Sequence, residues 1–171
     1  MKKNERVLVA LGSNQGAKFE NLQKAVEAIS KKIGKISVVS NVYKTPALGF
    51  KGNDFLNACI ILETSFSPQQ SLTQLLLIEE FLGRKRSENG YENRTIDLDI
   101  IFYADKIIAE ENLQIPHPHL ADRKFVLKPL ADIAPEFVHP VLQKNIKQLL
   151  QECSDSSLIE VVEEKLILPQ N

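Results

Sequence analysis

Asp97 and Asp99 stand two residues apart in the run Ile96–Tyr103, with Ile96, Leu98 and Ile100 interleaved. Alternate residues of a β-strand share a face, so both carboxylates point the same way, about 6–7 Å apart along the chain. Their aliphatic neighbours then turn toward a core. Two acids held side by side repel each other and call for a cation or solvent between them. Magnesium suits such a pair, because it takes one or two carboxylates and fills its shell with phosphate oxygens at about 2.0–2.1 Å. Two ions roughly 3.5–4 Å apart could be spanned by the pair and a polyphosphate. Taken alone, Asp-Leu-Asp reads equally well as a solvated strand face.

The preceding segment shifts that balance. Arg84, Lys85, Arg86 and Arg94 bracket the stretch Gly83–Arg94, which runs directly into the acidic strand. Guanidinium forks match phosphate oxygens, and long loops in compact domains often serve as lids. A solvated basic turn is the plainer reading of any one of these residues. A basic loop adjoining paired aspartates points to metal-assisted phosphoryl transfer. Glu79 lies near the C-terminal end of a predicted helix, where the dipole disfavours a carboxylate. It is either a surface residue or the partner of something cationic. Asn57 interrupts an apolar strand; its amide could read the edge of a heterocycle or serve as a satisfied structural group.

These residues need a scaffold, and the apolar spacing supplies one. Arg6–Leu11 reads as a buried strand, and Phe19, Leu22, Ala25, Val26 and Ile29 recur at helical spacing up to Gly34. A strand is expected over Lys35–Tyr43, a loop over Lys44–Asp54 and a strand over Phe55–Thr64. A helix opening at Ser67-Pro68 runs to Gly83, and the acidic strand follows. This order is that of a ferredoxin-like α+β sandwich, an antiparallel sheet with helices packed on one face. Beyond about residue 104 the assigned elements are a helix over Asn145–Glu152 and one or two strands over Leu158–Leu168. Residues 1–171 are expected to form a single domain.

Lys+Arg number 21 against 22 Asp+Glu, a balance that argues against a protein coating nucleic acid or an anionic membrane. Cys59 and Cys153 lack metal-ligand spacing and are expected to stay reduced in a cytoplasmic protein. The start of the chain shows no signal-peptide pattern, and no apolar run is long enough to span a bilayer.

The order of motifs resembles one family. Gly12-Ser13-Asn14, Thr45-Pro46 with Leu48-Gly49, and Leu56-Asn57 come first. Ile78-Glu79, Gly83-Arg84, Arg86 and Arg94-Thr95-Ile96-Asp97-Leu98-Asp99-Ile100 follow. Pro116-His117, Arg123, Phe125-Val126-Leu127 and Pro129-Leu130 complete the set. Together these resemble the 6-hydroxymethyl-7,8-dihydropterin pyrophosphokinases over about Val7–Pro140. The resemblance implies transfer of diphosphate from ATP to the pterin, with AMP leaving, in folate biosynthesis. It implies that Asp97 and Asp99 hold two Mg2+ ions, with Arg84 and Arg94 beside them in catalysis. It further implies that Glu79, Arg84, Arg86, Arg94, His117 and Arg123 face the nucleotide, with Ile100, Leu113 and Gln114 near the adenine. Thr45, Pro46, Leu48 and Asn57 would read the pterin edge, and Phe55 and Phe125 would sandwich its ring. Tyr91 stands where a lid aromatic is implied, although Gly90-Tyr91-Glu92-Asn93 departs from the family pattern. The implied partner is the small-molecule pterin alone, bound by a monomer. The tail 154–171 has no counterpart in the resemblance. Two rivals remain from the residues themselves: an RNA-binding ferredoxin-like module, and the same metal site serving nucleotidyl transfer or cyclisation.

Overall fold

Strand β1 (Glu5–Ser13) buries Val7, Val9 and Leu11 on one side and Leu8 on the other, which places it at the centre of a sheet. The computed structural model describes residues 3–47, 51–84 and 94–170. After β1 come α1 (Lys18–Lys32), β2 (Lys35–Val39), β3 (Tyr43–Thr45), β4 (Phe55–Thr64) and α2 (Pro68–Phe81). Then follow β5 (Asp97–Tyr103), β6 (Ile108–Glu110), β7 (Leu113–Ile115), α3 (Lys124–Ile133), α4 (Ile146–Glu152) and β8 (Glu160–Val161). The main sheet is antiparallel throughout, in the order β5-β1-β4-β3-β8, with β2 also pairing with β4; β6 and β7 form a separate hairpin.

Local chemistry explains the boundaries. Ser67 accepts from Gln70 N–H while Gln70 reaches back to Ser67 N–H, a capping box that starts α2 with Pro68 in its first turn. The strand expected over 35–43 is divided in two. Ser40 Oγ accepts from Cys59 N–H at 2.8 Å, substituting a side chain for the ladder, and the chain resumes pairing at Tyr43.

Helices α1 and α2 cover one face of the sheet, where Leu22, Val26, Ile29, Leu75 and Ile78 pack on Val9, Ile60 and Leu98. The opposite face is covered too. Helices α3 and α4 bring Val126, Leu127, Leu130, Ile146 and Leu149 against Leu8, Cys59, Ile61 and Phe102. Helices on a single face are therefore only half of the arrangement, because both faces of the central strands carry apolar side chains that must be buried. A register shift between Leu8 and Val9 matters for the site. Asp97 and Asp99 face the α3 side with Ile101, while Leu98 and Ile100 face α1 and α2; the bulge then puts Phe102 on the α3 side as well.

Candidate active site

Beyond the N-terminal end of α3 the α3-side face of the sheet is uncovered, leaving a cavity of about 350 Å³. Its floor is set by register. Gly12 on β1 lies between Asn57 on β4 and Asp97 on β5, and Ala10 pairs with Asp99. Small residues on the central strand keep this floor low. Asn57 Nδ2 donates to Thr45 Oγ1 at 2.6 Å, so β3 and β4 present one linked polar edge. Pro46 and Phe55 continue from that edge, and His117, Arg123 and Phe125 also line the cavity. The Arg123 guanidinium stands 5.8 Å from the centre of the Phe125 ring.

The acids meet the arginines. Asp97 Oδ1 accepts from Arg84 Nη1 at 2.9 Å, and Oδ2 from Arg94 Nη1 at 2.8 Å. Glu79, only 3% exposed, accepts from Arg84 at 2.7 Å and from Leu98 N–H at 2.7 Å. Of the two alternatives for Glu79, a surface acid or the partner of a cation, it is the second. Burial works against the Arg84 charge, but Asp97 and Glu79 outweigh it and raise its pKa. Burial, then the Asp97 and Glu79 charges, push Asp99 up to about 7 despite Arg84 and Arg94. His117 is held neutral, with burial first and Arg123 second lowering it to about 4. Its Nδ1 accepts from His119 N–H at 3.2 Å, which leaves the proton on Nε2 as a donor.

Of the residues expected from sequence, the cavity brings together Thr45, Pro46, Phe55 and Asn57 on one side. Arg94, Asp97, Asp99, His117, Arg123 and Phe125 complete it. Glu79 and Arg84 stand behind Asp97 rather than in the lining. Ile100 and Leu113 are buried in the α1-side core, and Gln114 is exposed on β7. Leu48, Arg86 and Tyr91 lie outside the described residues. The lining also contains Ala10, Gly12, His119 and Asp122, to which no role was assigned from sequence. Asn14 is a further omission. Fully buried, it accepts from Arg94 N–H at 2.5 Å and donates to Asn53 O at 3.1 Å. Asn21 on α1 supports the same segment by donating to Thr95 O at 3.2 Å. The run Gly12-Ser13-Asn14 after a strand was the available signal, but only strand pairing reveals what it touches.

Residues 8–135 match the family model described as 7,8-dihydro-6-hydroxymethylpterin-pyrophosphokinase (HPPK). The chain belongs to the HPPK family. A 2-amino-4-hydroxy-6-hydroxymethyldihydropteridine pyrophosphokinase of Synechocystis sp. is 41% identical over 146 residues, covering 85% of this chain and 74% of the relative. The folic acid synthesis protein fol1 of Pneumocystis carinii is 42% identical over 161 residues, 93% of this chain but 22% of that longer protein. Among solved structures, the Plasmodium falciparum HPPK-DHPS chain superposes with a TM-score of 0.75 at 18% identity. It covers 89% of this chain, which spans 45% of that one, and the likeness is one of fold. Within the HPPK family, then, this chain keeps an α+β fold whose acid pair and arginines share one end of the sheet.

Proposed function

We infer that the chain transfers pyrophosphate from ATP to 6-hydroxymethyl-7,8-dihydropterin in folate biosynthesis. One observation carries the chemistry: Asp97 and Asp99 face a cavity also lined by Asn57, Phe55 and Phe125, with Arg84 and Arg94 both bonded to Asp97. The donor set fits magnesium. Two carboxylates on one strand face, with no third His, Cys, Asp or Glu completing a cluster among the described residues, suit an ion that takes its other ligands from phosphate and water. Asp97 and Asp99 would hold two Mg2+ ions, which supply charge neutralisation to the polyphosphate when bound.

The pterin fits between Phe55 and Phe125, with Thr45, Pro46 and Asn57 along its polar edge; Leu48 and Tyr91 are assigned to the pterin by the family resemblance alone. Arg84, Arg86, Arg94, His117 and Arg123 grip the phosphates and ribose of ATP. Glu79 serves the nucleotide side through its bond to Arg84. Ile100 and Leu113 have buried side chains, so they offer the adenine main-chain atoms, with Gln114 beside them. The pterin hydroxymethyl oxygen attacks the β-phosphorus, the bond from that phosphorus to the oxygen bridging the α-phosphate breaks, and AMP leaves as the hydroxyl proton is released. Positioning and charge neutralisation do most of the work. Neutral His117 donates from Nε2 and is a contact rather than a base. We read strand order β5-β1-β4-β2 with α1 and α2 as a ferredoxin-like core, and the whole chain as one domain acting as a monomer in the cytoplasm.

The test is product analysis. Full-length protein with ATP, Mg2+ and the hydroxymethyl pterin should yield AMP and pterin diphosphate; free pyrophosphate would instead mark nucleotidyl transfer or cyclisation. Asp97→Ala or Asp99→Ala should lower turnover by roughly 10²–10³-fold, the scale of losing one preorganised electrostatic group. Near-normal AMP release by either variant would defeat the metal assignment.

A further inference from the structure

The tail after α4 is tied across the molecule at separate points. Asp155 Oδ2 accepts from Lys124 N–H at 3.1 Å and Oδ1 from Ser157 N–H at 2.8 Å. Next, β8 pairs with the outer edge of β3, Tyr43 opposite Val161 and Lys44 opposite Glu160, and Val162 N–H donates to Val42 O. Leu166 then enters the α1-side core, and Ile167 exchanges two hydrogen bonds with Gln23 on α1.

The first contact falls where α3 lacks a cap of its own. Arg123 occupies the N-cap position but makes no side-chain cap bond; Val126 and Leu127 N–H reach its carbonyl, while Lys124 N–H needs an acceptor from elsewhere. Asp155 supplies the acceptor from 31 residues away, with a charge that suits the helix dipole. Burial pushes its carboxyl up, but the Ser157 hydroxyl, then the N–H groups of Ser157 and Lys124, outweigh this and hold it below the usual carboxylate range. The capped amide lies between Arg123 and Phe125, both of which line the cavity. The second contact braces β3, whose Thr45 holds Asn57. One strap therefore touches both β3 and the first turn of α3, each of which supplies cavity-lining residues.

We propose that Asp155 is a positioning residue for the pterin: by fixing the first turn of α3 it holds Phe125 in place in the cavity lining. The proposal rests on the pyrophosphokinase reading above. It is tested by pterin fluorescence titration of the full chain with Mg2+ and a non-hydrolysable ATP analogue, alongside steady-state kinetics. Asp155→Ala should weaken pterin binding and raise its KM about 10-fold, below the roughly 10²-fold that a full ångström of misplacement can cost, with kcat changed far less. Asp155→Asn keeps one acceptor oxygen and should recover part of the affinity; it decides the matter should the alanine variant not fold. Asn145→Ala removes a comparable cap from α4, which contributes no cavity residue, and should leave pterin KM unchanged at similar stability loss. Equal pterin affinity in both Asp155 variants and the unaltered protein would overturn the proposal, as would an equal KM rise in Asn145→Ala. An unaltered chain that binds no pterin would instead overturn the function, and the proposal with it.

Discussion

A methyl group at position 12 would stand 2.9 Å from Asn57 Oδ1 and 3.5 Å from Phe55 Cδ1. The first distance is shorter than a Cβ tolerates, and the Asn57 amide has little freedom to retreat because Thr45 holds its other end. Gly12→Ala should therefore tilt Asn57 and weaken pterin binding by about 10-fold or more, while overpacking costs roughly 1–3 kcal/mol of stability. Calorimetric pterin titration checks the first effect and urea denaturation the second; unchanged affinity would mean that the amide does not read the pterin. At the same scale, Glu79 shows how a buried acid is retained. Its carboxylate serves a guanidinium and a strand N–H at once, so each partner keeps the charge from being uncompensated.

Between elements, the junction to watch is Asn14 at the end of β1. It joins the roots of two chain segments, one at Asn53 and one at Arg94, and Asn21 reinforces the second from α1. Asn14→Ala should leave Arg94 N–H and the Asn53 carbonyl without this partner, costing about 1 kcal/mol, and should reduce turnover by loosening Arg94. Denaturant unfolding and AMP assays together test this; full turnover in a destabilised variant would show that Arg94 is held by other means. Much of this framework is legible in sequence because β1, β4 and β5 are apolar runs of strand length, while α1 spaces its buried residues at helical intervals. Helix α3 was missed. Pro129 sits inside it and masks the helical spacing of Val126, Leu127 and Leu130. The acid pair and its arginines were legible because they are neighbours in the chain. Gly12, Asn14 and Asp155 were not, since their partners arrive through strand register or from far along the chain.

Over the whole molecule, stability should depend on pH through groups with opposed signs. His117 titrates at about 4 when folded against about 6.5 when unfolded, so the unfolded chain gains its proton first. Its contribution is present above about pH 6.5 and is lost as pH falls toward 4. Burial lowers His139 in the same sense. Asp99, raised to about 7, acts the other way, favouring the folded state as pH falls from there. Comparing His117→Gln with the unaltered protein cancels the other groups. The variant should lose less stability between pH 6.5 and 5, measured by thermal unfolding in chelator; parallel pH curves would contradict a neutral His117.

The three-strand register Asn57–Gly12–Asp97 has a last consequence. The residue proposed to read the pterin and the residue proposed to anchor the nucleotide are separated by two inter-strand spacings, roughly 10 Å. Hydrogen-bonded backbone sets that interval between their Cα atoms, and side-chain rotamers work only around it. The sheet acts as a ruler between donor and acceptor sites, so substitutions in the surrounding loops can retune grip and access while the gap to be bridged by the reacting phosphate stays constant.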